Sequence, residues 1–145
     1  MSSRGGGFVV VDASVWVARL VPQDAFHPVV KTWMERQRSG GVILLSPSLL
    51  LAEVGGAVTR RTGEAQLARR AVESLEGLPG LRLVEMDQPL VQAAARLAVE
   101  LGLRGADAFY VALAERLKIP MATLDSDQRA RAAGVIAIEE LGIGD

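Results

Sequence analysis

The stretch Phe8-Val9-Val10-Val11-Asp12-Ala13-Ser14 decides the fold. An unbroken apolar run rich in β-branched valine suits a strand buried on both faces, as in a parallel sheet, and not the alternating pattern of a strand with one wet side. The run predicts a strand over residues 8–12 and stops on a carboxylate, and residues 14–20 have room for a short helix that Pro22 closes.

The same alternation continues along the chain. Residues 26–38 read as an amphipathic helix with Val29, Val30, Trp33 and Met34 on one stripe, ended by Gly40-Gly41. Residues 42–45 make a second buried strand. Ser46-Pro47 then reads as a helix start, a capping hydroxyl followed by proline in the first turn, with the helix running to about Thr62. Further helices are expected over residues 64–75, 89–101, 106–117 and 128–133, and further strands over 81–85, 120–124 and, last and short, 135–138. Strands alternating with helices imply a three-layer α/β/α architecture around a central parallel sheet. Such sheets place their functional crevice beyond the carboxyl ends of the strands.

The composition fits this plan. The chain has 145 residues, half of them apolar but only 4% aromatic, so the core must rest on Leu, Val and Ala. Residues 1–7 read as a flexible glycine-rich leader and residues 8–145 as one domain. The apolar run is too short for a signal peptide or a membrane span, so a soluble, cytoplasmic protein is expected. There is no cysteine and a single histidine, His27, which removes disulfides and the common thiolate or multi-histidine metal sites. The formal net charge of −1 does not advertise a nucleic-acid partner, so any such partner requires local basic clusters or a metal ion.

The acidic residues carry the chemistry. Asp12 ends the first strand; Asp125 follows the fourth, with Asp127 two residues on. Glu53 falls about two turns into the helix entered from the second strand. Asp107 sits in the first turn of the helix that runs back toward the fourth strand. All four of Asp12, Glu53, Asp107 and Asp125 therefore belong at the carboxyl edge. Each has a plainer reading: Asp12 as a cap of the next helix, Asp107 as a first-turn charge, Asp125 and Asp127 as turn formers. Glu53, among Leu49-Leu50-Leu51-Ala52 and Val54, needs a partner, for which Arg60 is the nearest cation in sequence. Clustered carboxylates repel, and a divalent cation relieves the repulsion. Oxygen ligands without thiol or imidazole select Mg²⁺ or Mn²⁺, ions that bind phosphate oxygens and lower the pKa of an attacking water.

Four segments, residues 9–14, 46–53, 105–108 and 122–125, together resemble the PIN-domain family, in particular its VapC-type toxins from toxin–antitoxin pairs. The resemblance implies a PIN-like fold and a Mg²⁺- or Mn²⁺-dependent endoribonuclease, with Asp12, Glu53, Asp107 and Asp125 as catalytic and metal-binding residues and Asp127 as an extra ligand. It implies Ser14 and Thr123 as hydroxyl supports of that site. It also implies single-stranded or structured RNA as substrate, a homodimer, and a VapB-type antitoxin whose tail blocks the site. Arginine carries nearly all the positive charge, and Arg104, Arg129, Arg60 and Arg61 are candidate RNA contacts, since guanidinium forks suit phosphate.

Other residues read as structural. Trp16, Trp33 and Phe109 lie on apolar stripes, His27 starts a helix, and Gly55-Gly56 inside a helix suggests close packing, within the chain or across a dimer interface. Two further functions compete with the nuclease: a non-catalytic binding module that grips a basic tail, and a phosphotransfer protein on a similar fold. The second is disfavoured because Asp12-Ala13-Ser14 lacks the second aspartate of an Asp-x-Asp motif, and both Lys31 and Lys118 fall on expected helices.

Overall fold

A computed structural model describes residues 6–143. Its elements are β1 (Phe8–Val11), α1 (Ala13–Leu20), α2 (His27–Ser39), β2 (Ile43–Pro47), α3 (Leu50–Thr62), α4 (Ala65–Glu76), β3 (Leu81–Val84), α5 (Gln88–Leu101), α6 (Gly105–Leu117), β4 (Met121–Ala122) and α7 (Ser126–Ala132). The strands form one parallel sheet in the order β3-β2-β1-β4, with Val10 opposite Leu45 on one side and Met121 on the other. Of the expected leader, residues 1–5 lie outside the described residues. The Gly6 N–H donates to the Gly40 carbonyl at 3.0 Å, and the Gly7 carbonyl accepts from the Ile43 N–H at 2.9 Å.

The valine run does what a doubly covered strand must. Val9 and Val11 enter one core, with Leu44, Trp16, Trp33, Val54 and Leu75. Val10 points the other way, into a second core with Leu45, Leu90, Leu97, Leu113 and Met121. Because successive side chains of a strand alternate in direction, one four-residue strand anchors both helical layers. Helices α1 to α4 cover one face, and α5 and α6 the other. Trp16 and Trp33 are fully buried and Phe109 packs at the edge of the second core.

Several boundaries differ from expectation. Ser46 and Pro47 do not open a helix; they end β2. The Ser46 hydroxyl accepts from the Trp16 indole N–H at 3.2 Å and donates to the Val11 carbonyl, so it serves the sheet and leaves α3 to begin at Leu50. Glu53 therefore sits in the first turn of α3, not two turns in. The fourth strand is two residues long, because Thr123 turns away to bond with Asp12. No strand forms over residues 135–138; a single parallel bridge joins Met121 and Ile138. α7 starts at Ser126 because the Asp125 carboxylate accepts the N–H groups of Asp127 and Gln128. The close packing at Gly55 is within the chain: a Cβ there would lie 3.3 Å from Val72 Cγ2 on α4.

Candidate active site

The topology decides where a site belongs. From β1 the chain steps to β2 and β3 on one side, then crosses to β4 on the other. Strand order thus reverses between β1 and β4, and the crevice beyond their carboxyl ends is where an open α/β sheet binds ligands. Asp12 follows β1 immediately. Thr123 and Asp125 follow β4, α6 brings Asp107 back to the same edge in its first turn, and α3 brings Glu53 there in its own.

Asp12 is only 3% exposed, and both of its oxygens are held. Oδ1 accepts from the Ser14 hydroxyl at 2.6 Å, the Ser14 N–H at 3.1 Å and the Val15 N–H at 3.4 Å. Oδ2 accepts from the Thr123 hydroxyl at 2.6 Å. The residue therefore caps α1 and also presents a fixed carboxylate at the switch point. Burial pushes its pKa up to about 6, despite the lowering effect of the Ser14, Thr123 and Val15 hydrogen bonds, and the nearby charge of Asp107 adds to the rise. Ser14 and Thr123, the hydroxyl supports that the family resemblance implied, both bond to Asp12. The Ser14 hydroxyl also accepts the Leu124 N–H at 3.0 Å, and Thr123 Oγ1 accepts the Asp125 N–H at 3.0 Å, so each locks β1 to the segment after β4.

Glu53 finds its partner in Tyr110, whose hydroxyl donates to Oε1 at 2.6 Å. Arg60 plays no such part. Burial raises the Glu53 pKa, the Tyr110 bond opposes the rise, and Asp107 raises it further while Arg104 lowers it. Tyr110 is itself pushed far up by burial and by the Glu53 bond, so it stays a protonated donor. The sequence reading missed Tyr110. Its signal was there: it lies three residues after Asp107, on the same face of a helix that starts at the carboxyl edge. Gln128 was also missed; it is buried, donates to the Asp107 carbonyl at 3.4 Å and lies 3.3 Å from Thr123 Oγ1.

Asp107 and Asp125 share one cation. Arg104 donates from Nε to Asp107 Oδ2 and from Nη2 to Asp125 Oδ2, each at 3.0 Å, while its side chain stays 78% exposed. Asp127 is engaged elsewhere, by Arg131 on the same helix at 2.9 Å. Of the other arginines considered as RNA contacts, Arg129 turns inward to the Thr123 carbonyl at 3.2 Å, its Nε buried without a partner, and Arg61 pairs with Asp24 at 2.7 Å. Arg60 has no hydrogen-bond or ion-pair partner among the described residues. His27 lies 2.9 Å from the Ala18 carbonyl through Nδ1, a structural contact.

The donor chemistry fits a hard divalent cation: carboxylate oxygens only, one of them fully buried and reluctant to ionise alone. Among the described residues no three acidic side chains already converge on one point, and the Arg104 guanidinium supplies the positive charge between Asp107 and Asp125.

The PIN domain family model matches residues 9–134, nearly the whole chain. The chain belongs to the PIN-domain family. No curated protein sequence matches it. Among solved structures this PIN domain superposes on Mycobacterium tuberculosis VapC20, a sarcin–ricin loop cleaving toxin, with a TM-score of 0.75 at 22% identity over 91% of this chain and 99% of that one. Rickettsia felis VapBC2, solved bound to a DNA fragment from its promoter, gives 0.68 at 12% identity, covering 90% and 96%. A Pyrobaculum aerophilum protein gives 0.62 at 26% identity, covering 92% of each chain. These likenesses extend across the whole PIN fold, with the four-stranded parallel sheet between two helical layers.

Proposed function

We propose that this PIN-domain protein is a Mg²⁺- or Mn²⁺-dependent endoribonuclease, the toxin of a type II toxin–antitoxin pair, with residues 8–145 forming one nuclease domain. The observation that carries the reading is Asp12: a fully buried carboxylate at the switch point, held by four hydrogen bonds and disfavoured as an anion unless a cation joins it. Asp12, Glu53, Asp107 and Asp125 would hold the ion, with Asp127 as a further ligand. When bound, the cation polarises the scissile phosphate and lowers the pKa of the attacking water.

The chain's own residues do the rest. Ser14 and Thr123 fix the rotamer of Asp12, and Tyr110 fixes Glu53. Arg104, exposed and anchored beside the carboxylates, exchanges its acidic partners for a substrate phosphate, which its planar fork matches. Single-stranded or structured RNA is the substrate on this reading. The likeness to VapC20 and VapBC2 supports a VapB-type antitoxin as partner, a homodimer as the assembly and the cytoplasm as the compartment. Among the described residues no helix is long and apolar enough to cross a membrane.

The test is incubation of purified, antitoxin-free protein with total RNA, with Mg²⁺ or Mn²⁺ and with EDTA. Cleavage that requires the metal and disappears in Asp12→Ala is expected. Identical RNA profiles with metal and with EDTA would instead favour a binding module that grips a basic tail.

A further inference from the structure

A hollow of about 580 Å³ opens beside Glu53, within the size range of small-ligand sites. It shares Ser14 and Glu53 with the acidic site, and Ala52 and Ala57 of α3 keep its floor shallow and apolar. Two features stand at its rim. Phe26, in the α1–α2 connection, leaves 40% of its surface exposed, so one face of its ring is open to a partner at the hollow. Arg60 and Arg61 lie in the last turn of α3.

The rim is built, not incidental. Asp24 accepts the Phe26 N–H on Oδ1 at 2.8 Å and the Arg61 guanidinium on Oδ2 at 2.7 Å, so one carboxylate sets the turn that presents Phe26 and ties it to α3. Of the two arginines on the hollow, Arg60 is thus the one without a hydrogen-bond or ion-pair partner among the described residues. Gly56 gives it room: a Cβ at that position would lie 3.1 Å from Arg60 Nη1. The guanidinium therefore folds back one turn along the helix, against Gly56.

We propose that this hollow is a nucleotide subsite that takes one base and one phosphate of a single-stranded RNA next to the bond that is cut. The inference rests on the nuclease reading of the adjoining carboxylates. The base stacks on Phe26 and the phosphate pairs with Arg60, the combination by which single strands are held without reading their sequence.

The test uses a fluorescein-labelled single-stranded RNA 10-mer, with binding read by anisotropy in EDTA and cleavage read in Mn²⁺. Phe26→Ala should weaken binding roughly ten-fold, and Phe26→Trp should restore it. Arg60→Gln should weaken binding by a similar factor and reduce the salt dependence by about one counterion. Arg82→Gln, which removes an exposed charge on β3, should leave binding unchanged. In Mn²⁺ both subsite variants should raise KM roughly ten-fold with kcat within about two-fold. Wild-type binding and KM in both variants overturns the subsite, whether or not Asp12→Ala abolishes cleavage. Lost binding in both variants, with no metal-dependent cleavage by the wild type, upholds the hollow as an RNA-binding site but overturns its place beside a cut bond and sinks the nuclease reading. A polyglutamate peptide that displaces RNA from the wild type, and loses affinity in the same two variants, assigns the hollow to an acidic protein segment and also overturns the proposal.

Discussion

Replacing Asp12 by Asn removes the charge at the candidate site while keeping its hydrogen bonds. The amide oxygen can still accept from Ser14 and Val15, and the amide nitrogen can donate to Thr123, whose hydroxyl then turns toward Gln128 Oε1, 3.3 Å away. A carboxyl held near 6 in the folded chain, against 3.8 for a free aspartate, has its anion disfavoured by about 3 kcal/mol. Losing a negative charge at the start of α1 takes back up to about 1 kcal/mol. Asp12→Asn should therefore be more stable than the wild type by about 2 kcal/mol at pH 7.5 in EDTA, or roughly 6 °C in Tm. The sign follows from linkage: a raised folded pKa means that wild-type stability is fully present below about pH 4 and is lost as pH rises through 6. The gap between the two proteins should open over that window and be flat above it. Adding Mn²⁺ should stabilise the wild type and not the variant, closing or reversing the gap. Chemical denaturation at pH 4, 5, 6 and 7.5, with and without Mn²⁺, measures all of this. A variant less stable than the wild type at pH 7.5 in EDTA, or a gap that ignores pH, would refute the account of Asp12.

Three more outcomes follow from the same contacts. Tyr110→Phe removes the hydroxyl that holds Glu53, so unfolding free energy should fall by about 1–2 kcal/mol, and the acid limb of the cleavage profile should move to higher pH; a rate profile with an unmoved acid limb contradicts the pairing. Arg104→Gln frees Asp107 and Asp125 of a guanidinium that competes with metal, and calorimetric titration should show Mn²⁺ binding about five-fold tighter, the scale of one exposed ion pair. Weaker Mn²⁺ binding would mean that Arg104 organises the ligands instead of blocking them. Gly56→Ala should raise Tm by about 2 °C, because it meets only the mobile end of Arg60, whereas Gly55→Ala presses on Val72 and should gain less; thermal melts of the two variants decide the order.

The layered fold was legible because it is written in local patterns. The valine run had to be a doubly buried strand, and every later strand expected over residues 42–124 forms, in parallel register. Misreadings fell where a tertiary contact outbid a local signal. Ser46-Pro47 carries a convincing helix start, yet the serine hydroxyl lies between Val11 and Trp16, residues thirty or more positions distant, and the sheet keeps it. Residues 135–138 carry strand-like apolar character, but beside a two-residue β4 there is only Met121 to pair with.

The sequence by itself determined most of the elements, their parallel direction and the edge to which the carboxylates belong, because strand and helix periods and their direction of travel are local properties. Tertiary structure alone decided which groups hold those carboxylates. Tyr110 reaches Glu53 across 57 positions, Thr123 reaches Asp12 across 111, and Arg104 rather than Arg60 supplies the counter-charge. A hydrogen bond depends on distances of a few ångströms, and those are set by how the helical layers settle on the sheet.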